Sequence, residues 1–559
     1  MALEHCLGPV CFSHLDPAAP KIFGFAELLA GLALIVVAWT IADYRFKFRI
    51  ATAPIPVMRI SSWTVLGVSA LALATDLWRA EGWLVPRGAL LTPALWQFLL
   101  AFVFLLTFFT WLWYAVISPP IFGKKNAEHY ANAVYRVIAT GSAQELSVVA
   151  DEMSYSMEAI VQHANNFTAD RARALVLHRQ SMEERGKPDS SMFADDILSF
   201  IAYPRMTRAI LLESPATAIE LFLNVRKQKK FEVQAGIFGR NLLAEGLANS
   251  DSPFFHEQDE YDSGLMANIK ALSGSMFRSH ELVAGQKILL DVERRHDWLH
   301  HQWQVYCGLV LMTYGDYVRN RVKEHSYVLH RSFDYIEQSI EDLSQTDAEA
   351  KMDNEAWRKL QVVLRFVNEG VTETDAARLT RAEFPPVERR FRQGFPMPYE
   401  LWDGILLAAI VRTASKRGPQ WDCWMRNTYI WDHTFASPRF KGPTGQAVLR
   451  RLRRQMFKRI KLLERSPNHA SAALISFCLT VMHSNMGDDE RSSLAIYRVV
   501  TGWMRKNYAE LHKRFPAIAA ACLPAPYVYV EEQRCIVSGP LSNTEQRHEV
   551  LLWLDSSLI

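Results

Sequence analysis

Residues 95–120 read LWQFLLAFVFLLTFFTWLWYAVISPP. No charge interrupts the stretch from Leu95 to Ile117, which closes on Trp111, Trp113 and Tyr114 before Pro119 and Pro120. An apolar run of about 20 residues matches a hydrocarbon layer of roughly 30 Å. Indole and phenol rings gather where such a layer meets water, and paired prolines stop a helix. The stretch therefore predicts a membrane-spanning helix over 95–117, and with it a chain built on a bilayer anchor.

Two more apolar runs lie upstream. Ile22–Ala42 is IFGFAELLAGLALIVVAWTIA, and Ile60–Trp78 is ISSWTVLGVSALALATDLW, shorter and richer in small residues. The first starts only at residue 22 and is too long for the apolar part of a cleaved signal. Three spans are thus expected, at 22–42, 60–78 and 95–117. They form a transmembrane domain over 22–118 behind a short extracytoplasmic N-terminus, 1–21.

Loop charge orients them. Arg45, Lys47, Arg49 and Arg59 follow the first run, and Lys124 and Lys125 follow the third. Between the second and third stand only Arg79 and Arg87, offset by Glu81. Basic loops stay in the cytoplasm. The N-terminus is therefore expected outside and everything after 118 inside, in a multi-pass protein of the cell's inner membrane. The compact anchor has a bacterial look.

Glu27 and Asp76 interrupt the first two runs at one predicted outer depth. Carboxylates inside a membrane are costly and mark ion paths or helix pairing. In an oligomer they would form an acidic ring that favours cations. The plainer reading is that both reach interfacial water.

The net charge of +3 resides in the anchor. Residues 1–125 hold nine basic and six acidic residues, and the rest of the chain holds 53 of each. A neutral body argues against a dedicated nucleic-acid coat but leaves room for a local basic patch. Seven cysteines show no CxxC and no zinc-like spacing. Cys307, Cys423, Cys478, Cys522 and Cys535 are scattered, as in a reducing compartment. Cys6 and Cys11 would pair only if their end faces an oxidising one.

From residue 126 the apolar period is helical. A helix carrying Tyr130, Val134 and Val137 ends at Gly141, and a long one follows through 143–164. Further helices are expected at 168–185, 192–202, 205–212, 215–228, 232–248, 264–274, 280–318 and 325–345. The acidic run 341–356 separates a first cytoplasmic helical region, 119–345, from a second, 346–559. A Pro-rich loop at 384–398 punctuates the latter. Successive helix pairs without a fixed repeat suit an irregular solenoid. Tyr527–Val530 and Arg534–Val537, around Glu531–Gln533, read as a small C-terminal hairpin. The fold class is mostly α.

Four clusters carry candidate chemistry. PFFHEQDEYDSG, 253–264, brings His256, Glu257, Asp259, Glu260 and Asp262 together ahead of Gly264, but fits neither the zincin nor the calcium-loop spacing. An ordered structural loop is the plainer reading. ERRHDWLHHQW, 293–303, would put Glu293, His296 and His300 on one helical face and Asp297 and His301 on its neighbour. The His-Asp pair is that of HD phosphohydrolases, for which His280 and Asp432 would have to complete the metal set. Glu293–His296 and Glu545–His548 share the ExxH spacing of di-iron bundles without the further carboxylates. A polar, water-facing stripe explains the same residues.

AVLRRLRRQMFKRIKLLER, 447–465, lays Leu449, Leu452, Met456, Ile460 and Leu463 on one stripe. Arg450, Arg451, Arg453, Arg454, Lys458, Arg459, Lys461 and Arg465 cover the rest. Such a helix suits anionic headgroups or nucleic-acid phosphates, or acidic neighbours on its own surface. WDCWMRNTYIWDHTF, 421–435, is rich in rings that either stack bases or fill a core. No cofactor is expected: KGPTGQ at 441–446 lacks the GxxxxGK[ST] pattern, and GxGxxG and GxSxG are missing.

The expected function is a membrane-anchored sensor or effector of the signalling or antiphage-defence type. Its helical body would bind a protein or nucleic-acid partner, or further copies of the chain, and couple that event to the membrane bundle, as an oligomeric pore in one version. The competing reading is a membrane-tethered, metal-dependent hydrolase using His296 and Asp297 or the His256–Asp262 cluster.

Overall fold

The first 120 residues fold around their apolar helices. In the computed structural model, β1 (His5–Leu7) and β2 (Val10–His14) precede α1 (Phe25–Ile41), α2 (Tyr44–Ala51) and α3 (Val57–Ala80). After β3 (Leu84–Arg87) comes α4 (Pro93–Leu112), which runs on through a π-turn, Trp113–Ile117. The described residues are 5–7, 10–14, 21–41, 43–87, 92–166, 189–257, 270–292, 297–341, 354–378, 401–415, 420–484, 490–525, 527–538 and 549–554. The chain divides into two compact units, Met1–Leu242 and Leu243–Ile559.

Local chemistry sets these boundaries. The Thr92 hydroxyl accepts the Leu95 N–H, and Pro93 opens α4 where its missing N–H costs nothing. Two helices are long and apolar enough to cross a membrane: α3, with 24 residues, and α4 with its π-turn, with 25. The third expected span is a helix of 17 residues. Leu28 of α1, Val68 of α3 and Leu100 of α4 pack together, with Phe23, Phe25 and Phe104 around them. Elsewhere α3 and α4 keep large apolar side chains exposed, Trp63 at 74% and Leu66 at 63% being the extremes on α3.

β1, β2 and β3 form an antiparallel sheet that the sequence reading did not foresee. Cys6 lies opposite Cys11 in its register.

The helical part of the first unit continues through α5 (Ala127–Thr140), α6 (Ala143–Ser154), α7 (Met157–His163), α8 (Ser190–Phe200), α9 (Pro204–Glu213) and α10 (Pro215–Lys227). Tyr130, Val134 and Val137 are buried as their spacing predicts. The long helix expected over 143–164 is instead two. A turn at Tyr155–Ser156 interrupts it, where the buried Ser156 hydroxyl accepts the Phe122 N–H. The expected helix at 168–185 lies outside the described residues.

α11 (Gly236–Ala248) leads into the second unit, with α12 (Pro253–His256), α13 (Ala271–Phe277) and α14 (His280–Gln286). The single helix expected over 280–318 is also broken. Lys287, at φ 60°, ends α14, and α15 (His300–Arg319) begins only at His300. α16 (Tyr327–Gln338), α17 (Glu355–Ala376) and α18 (Trp402–Ala414) enclose the core. There Trp402 is fully buried among Tyr314, Phe333 and Phe366. A Cβ on Gly370 would come within 2.3 Å of that indole, so only glycine lets α17 approach it.

α19 (Gln420–His433), α20 (Pro443–Leu462), α21 (His469–Ser484), α22 (Glu490–Arg514) and α23 (Pro516–Cys522) complete the helices. The expected hairpin is present as β4 (Tyr527–Val530) and β5 (Cys535–Ser538), its second strand starting one residue late. An unforeseen third strand, β6 (Glu549–Trp553), pairs with β5.

Candidate functional site

Among the described residues of the first unit, a dense polar cluster sits where the apolar helices meet the amphipathic ones. α2 carries Arg45 and Arg49 one helical turn apart, on the same face. α6, opened by a Ser142–Glu145 capping box, offers Asp151 and Glu152. Arg49 grips Glu152 with two bonds, Nε to Oε2 at 2.7 Å and Nη2 to Oε1 at 2.8 Å. Arg45 donates to Asp151 at 2.8 Å and lies 3.3 Å from Glu152. The Glu152 side chain is 4% exposed and that of Arg49 14%, so the pair is largely withdrawn from water. Hydrogen bonding to Glu152 raises the Arg49 pKa above its ordinary value.

The third partner in this cluster is a backbone carbonyl. Arg49 Nη1 donates to Ala115 O at 3.0 Å. In an α-helix that oxygen would accept the N–H of residue 119, but residue 119 is Pro and has none. The π-turn, closed by Ser118 N–H to Trp113 O at 2.8 Å, leaves Ala115 O to the arginine. Around it, Ile50, Ala53, Val57 and Ala115 pack with Phe46, Trp111 and Tyr114. Asn126 adds two bonds, to Thr52 O and Ile121 O, and His129 meets Ala53 O at 3.1 Å. Helices α2, α3, α4, α5 and α6 are thus fastened at one point.

Glu27 and Asp76, 49 positions apart, are also brought together. Lys21 Nζ lies 3.0 Å from Asp76 and 3.6 Å from Glu27. Each carboxylate also serves the start of α1: Asp76 accepts the Phe25 N–H at 2.9 Å and Glu27 the Gly24 N–H at 3.0 Å. The buried Gln97 accepts the Ile22 and Phe23 N–H groups. These groups satisfy the donors of a helix N-terminus.

Among the described candidates of the second unit, Glu257, His280, His300 and His301 have structural partners. Glu257 accepts the Leu272 and Ser273 N–H groups and the Ser273 hydroxyl, so its oxygens cap α13. His256 is exposed. His300 Nδ1 lies 2.9 Å from Glu355, and His301 packs on the Phe255 ring. Asp297 precedes α15, so it does not share a helical face with His301 as expected. His280 Nε2 meets Ser326 Oγ at 2.8 Å, and burial lowers its pKa. Asp259, Glu260, Asp262, Gly264, Glu293, His296, Glu545 and His548 lie outside the described residues. Among the described residues, no three His, Cys, Asp or Glu gather as metal ligands.

α20 has the predicted apolar stripe: Leu449, Leu452, Met456, Ile460 and Leu463 are buried. Its cations divide into two sets. Arg451 and Gln455 both donate to Asp403 at 2.9 Å, a carboxylate almost wholly enclosed. Arg453 lies over the Phe435 ring. Arg450, Arg454, Lys458, Arg459 and Lys461 are exposed. Of the aromatic run before it, Trp431 and Phe435 are core, whereas Trp421 is exposed and stacks on Trp424.

No family model, curated protein or solved structure matches this chain.

Proposed function

We propose that the chain is a multi-pass sensor or effector of a bacterial inner membrane. Its helical body binds a partner and passes that event to the apolar helices as a mechanical load, the output being a change in membrane permeability through an oligomer. The observation that carries this reading is the Arg45–Arg49–Asp151–Glu152–Ala115 junction. A passive tether needs only a flexible linker between span and body. Here a largely buried ion pair and a π-turn carbonyl lock α6 onto both α2 and the end of α4, and π-turns favour functional positions.

The exposed apolar faces of α3 and α4 support a membrane location, because large contiguous apolar patches mark surfaces that meet a membrane or a partner. The path of α1 supports three crossings. Its start is fastened to Asp76 near the end of α3, and its far end leads to α2, whose Ile50 packs on Val57 at the start of α3. The segment from residue 21 to residue 43 therefore runs the full length of α3 although only 17 of its residues are helical. With the basic loops inside, the body is cytoplasmic. α20 supplies an anionic-partner face through Arg450, Arg454, Lys458, Arg459 and Lys461.

The test is expression of the full chain in bacterial cells carrying a potential-sensitive dye. The expected result is depolarisation by the natural sequence and none by Glu152→Gln at equal abundance in the membrane. Depolarisation that persists in Glu152→Gln, or none from the natural chain, would reject the coupling.

A further inference from the structure

Beside the cationic row of α20 lies an apolar cleft of about 300 Å³. Met456, Phe457 and Ile460 of α20 form one wall, and Ile496, Val499 and Val500 of α22 form the other. Arg453 and Arg454 stand at its rim. The volume is at the small end of the range for sites that enclose organic ligands. Its walls carry aliphatic and aromatic carbon, with the two guanidinium groups as their polar element.

The exposed face of α20 continues this chemistry. Arg450, Arg454, Lys458 and Lys461 recur every three or four residues, a single row along a helix with about 100° per residue. Among the described residues, no carboxylate forms an ion pair with Lys458, Arg459 or Lys461. Phe457, 40% exposed, and Leu462, 49% exposed, lie within the same basic face. Lys461 lies over the Phe457 ring, 5.3 Å from its centre.

We propose that this cleft and row form a binding site for an anionic phospholipid, acyl carbon entering between α20 and α22 while the headgroup meets Arg450, Arg454, Lys458 and Lys461. The proposal deepens the anionic-partner reading of α20 and does not depend on the junction at Glu152. Phosphates of a nucleic acid would satisfy the cations, but they leave the aliphatic cleft and Leu462 in water. An acidic peptide with an apolar anchor satisfies both, yet must be recruited from solution. In a chain carrying helices able to cross a membrane, the basic helix is tethered to the bilayer, which raises the effective concentration of headgroups for it. Basic helices interleaved with Phe and Leu bind anionic surfaces through both contributions.

The full-length protein serves for the test, with Cys6, Cys11 and Cys423 replaced by Ser and Leu462 by Cys. Cys307, Cys478, Cys522 and Cys535 are buried and do not compete for the label. The labelled protein is placed in nanodiscs of phosphatidylcholine, with or without phosphatidylglycerol, bromine being carried on the acyl chains of one lipid at a time. Brominated phosphatidylglycerol is expected to quench the fluorophore, and brominated phosphatidylcholine at the same fraction is not. Arg454→Glu with Lys458→Glu should weaken that quenching roughly tenfold or more, given the contribution of each basic residue at an anionic surface.

Val499→Phe fills the cleft without touching the charges and should also reduce quenching. Glu152→Gln should leave it unchanged while abolishing depolarisation, so the two readings fail separately. Equal quenching by both lipids overturns the proposal, as does quenching indifferent to charge reversal. Undiminished quenching in Val499→Phe removes the cleft from the site. Binding of RNA or of an acidic peptide by the same row in phosphatidylcholine discs, with no response to phosphatidylglycerol, assigns α20 to that partner instead.

Discussion

At the scale of single residues, the buried carboxylates show how much of this molecule is held by long-range polar contacts. Asp195 accepts the Asn165 N–H at 3.0 Å and an Asn165 side-chain N–H at 2.7 Å. Burial pushes its pKa up to about 6, outweighing those bonds and the nearby Lys230 charge. The folded state therefore holds the proton more tightly than the unfolded chain does. This contribution to stability is complete below about pH 4, the ordinary aspartate range, and disappears as pH rises through about 6. Asp195→Asn cannot ionise and should flatten that part of the stability profile. The neutral side chain should cost about 1 kcal/mol in hydrogen bonding at the acid end. Thermal unfolding of the full chain in detergent between pH 4 and 8 checks this. An unchanged pH slope would mean that Asp195 is not the group responsible.

At the scale of elements, the junction turns on a proline. Pro119 denies Ala115 O its helical donor, and Arg49 replaces it while also gripping Glu152. Removing one partner of such a buried pair costs about 3–5 kcal/mol, whereas an apolar pair of similar size is tolerated. Arg49→Met and Glu152→Leu should each lower the unfolding temperature, and the double variant should lose less than their sum. Pro119→Ala returns an N–H to Ala115 O, so Arg49→Met made in that background should cost about 1 kcal/mol less. An Arg49→Met penalty that is the same with Pro or Ala at position 119 would show that the carbonyl bond contributes nothing.

Little of this junction was legible in the sequence. Arg45 and Arg49 are visible as loop charge, and Pro119 as a helix stop. Their partners Asp151 and Glu152 stand about a hundred residues away, and no local period connects them. The contacts of Glu27 and Asp76 were hidden for the same reason: Lys21 and the N–H groups of Gly24 and Phe25 meet them, and those of Ile22 and Phe23 meet Gln97. What did read correctly rests on local rules: the two long apolar helices α3 and α4, the Tyr130–Val137 face, the α20 stripe and the hairpin. Helix breaks at Tyr155 and Lys287 escaped because apolar periodicity continues across them, and the β1–β3 sheet because its strands are short and far apart in sequence.

At the scale of the whole molecule, the course of α1 decides the topology. An α-helix of 17 residues rises about 25 Å, which taken alone is marginal for a bilayer. Its fastenings extend it: residues 21–24 bond to Asp76, Gln97 and Glu27 at one end, and Asp43 caps α2 at the other. β2 pairs with β3, which follows α3, so the N-terminal strands lie at the end of α3 and not at its start. On the proposed three-crossing reading, Ile22 and Glu81 would lie on one side and Ile55 and Lys124 on the opposite side, which the basic loops would assign to the cytoplasm. All four are exposed. With Cys6 and Cys11 replaced by Ser, Ile22→Cys and Glu81→Cys should react with a membrane-impermeant thiol reagent on intact spheroplasts. Ile55→Cys and Lys124→Cys should react only after the membrane is opened. If Ile22→Cys and Ile55→Cys label from the same side, α1 does not cross. Asp76 would then hold a helix that enters the membrane and returns.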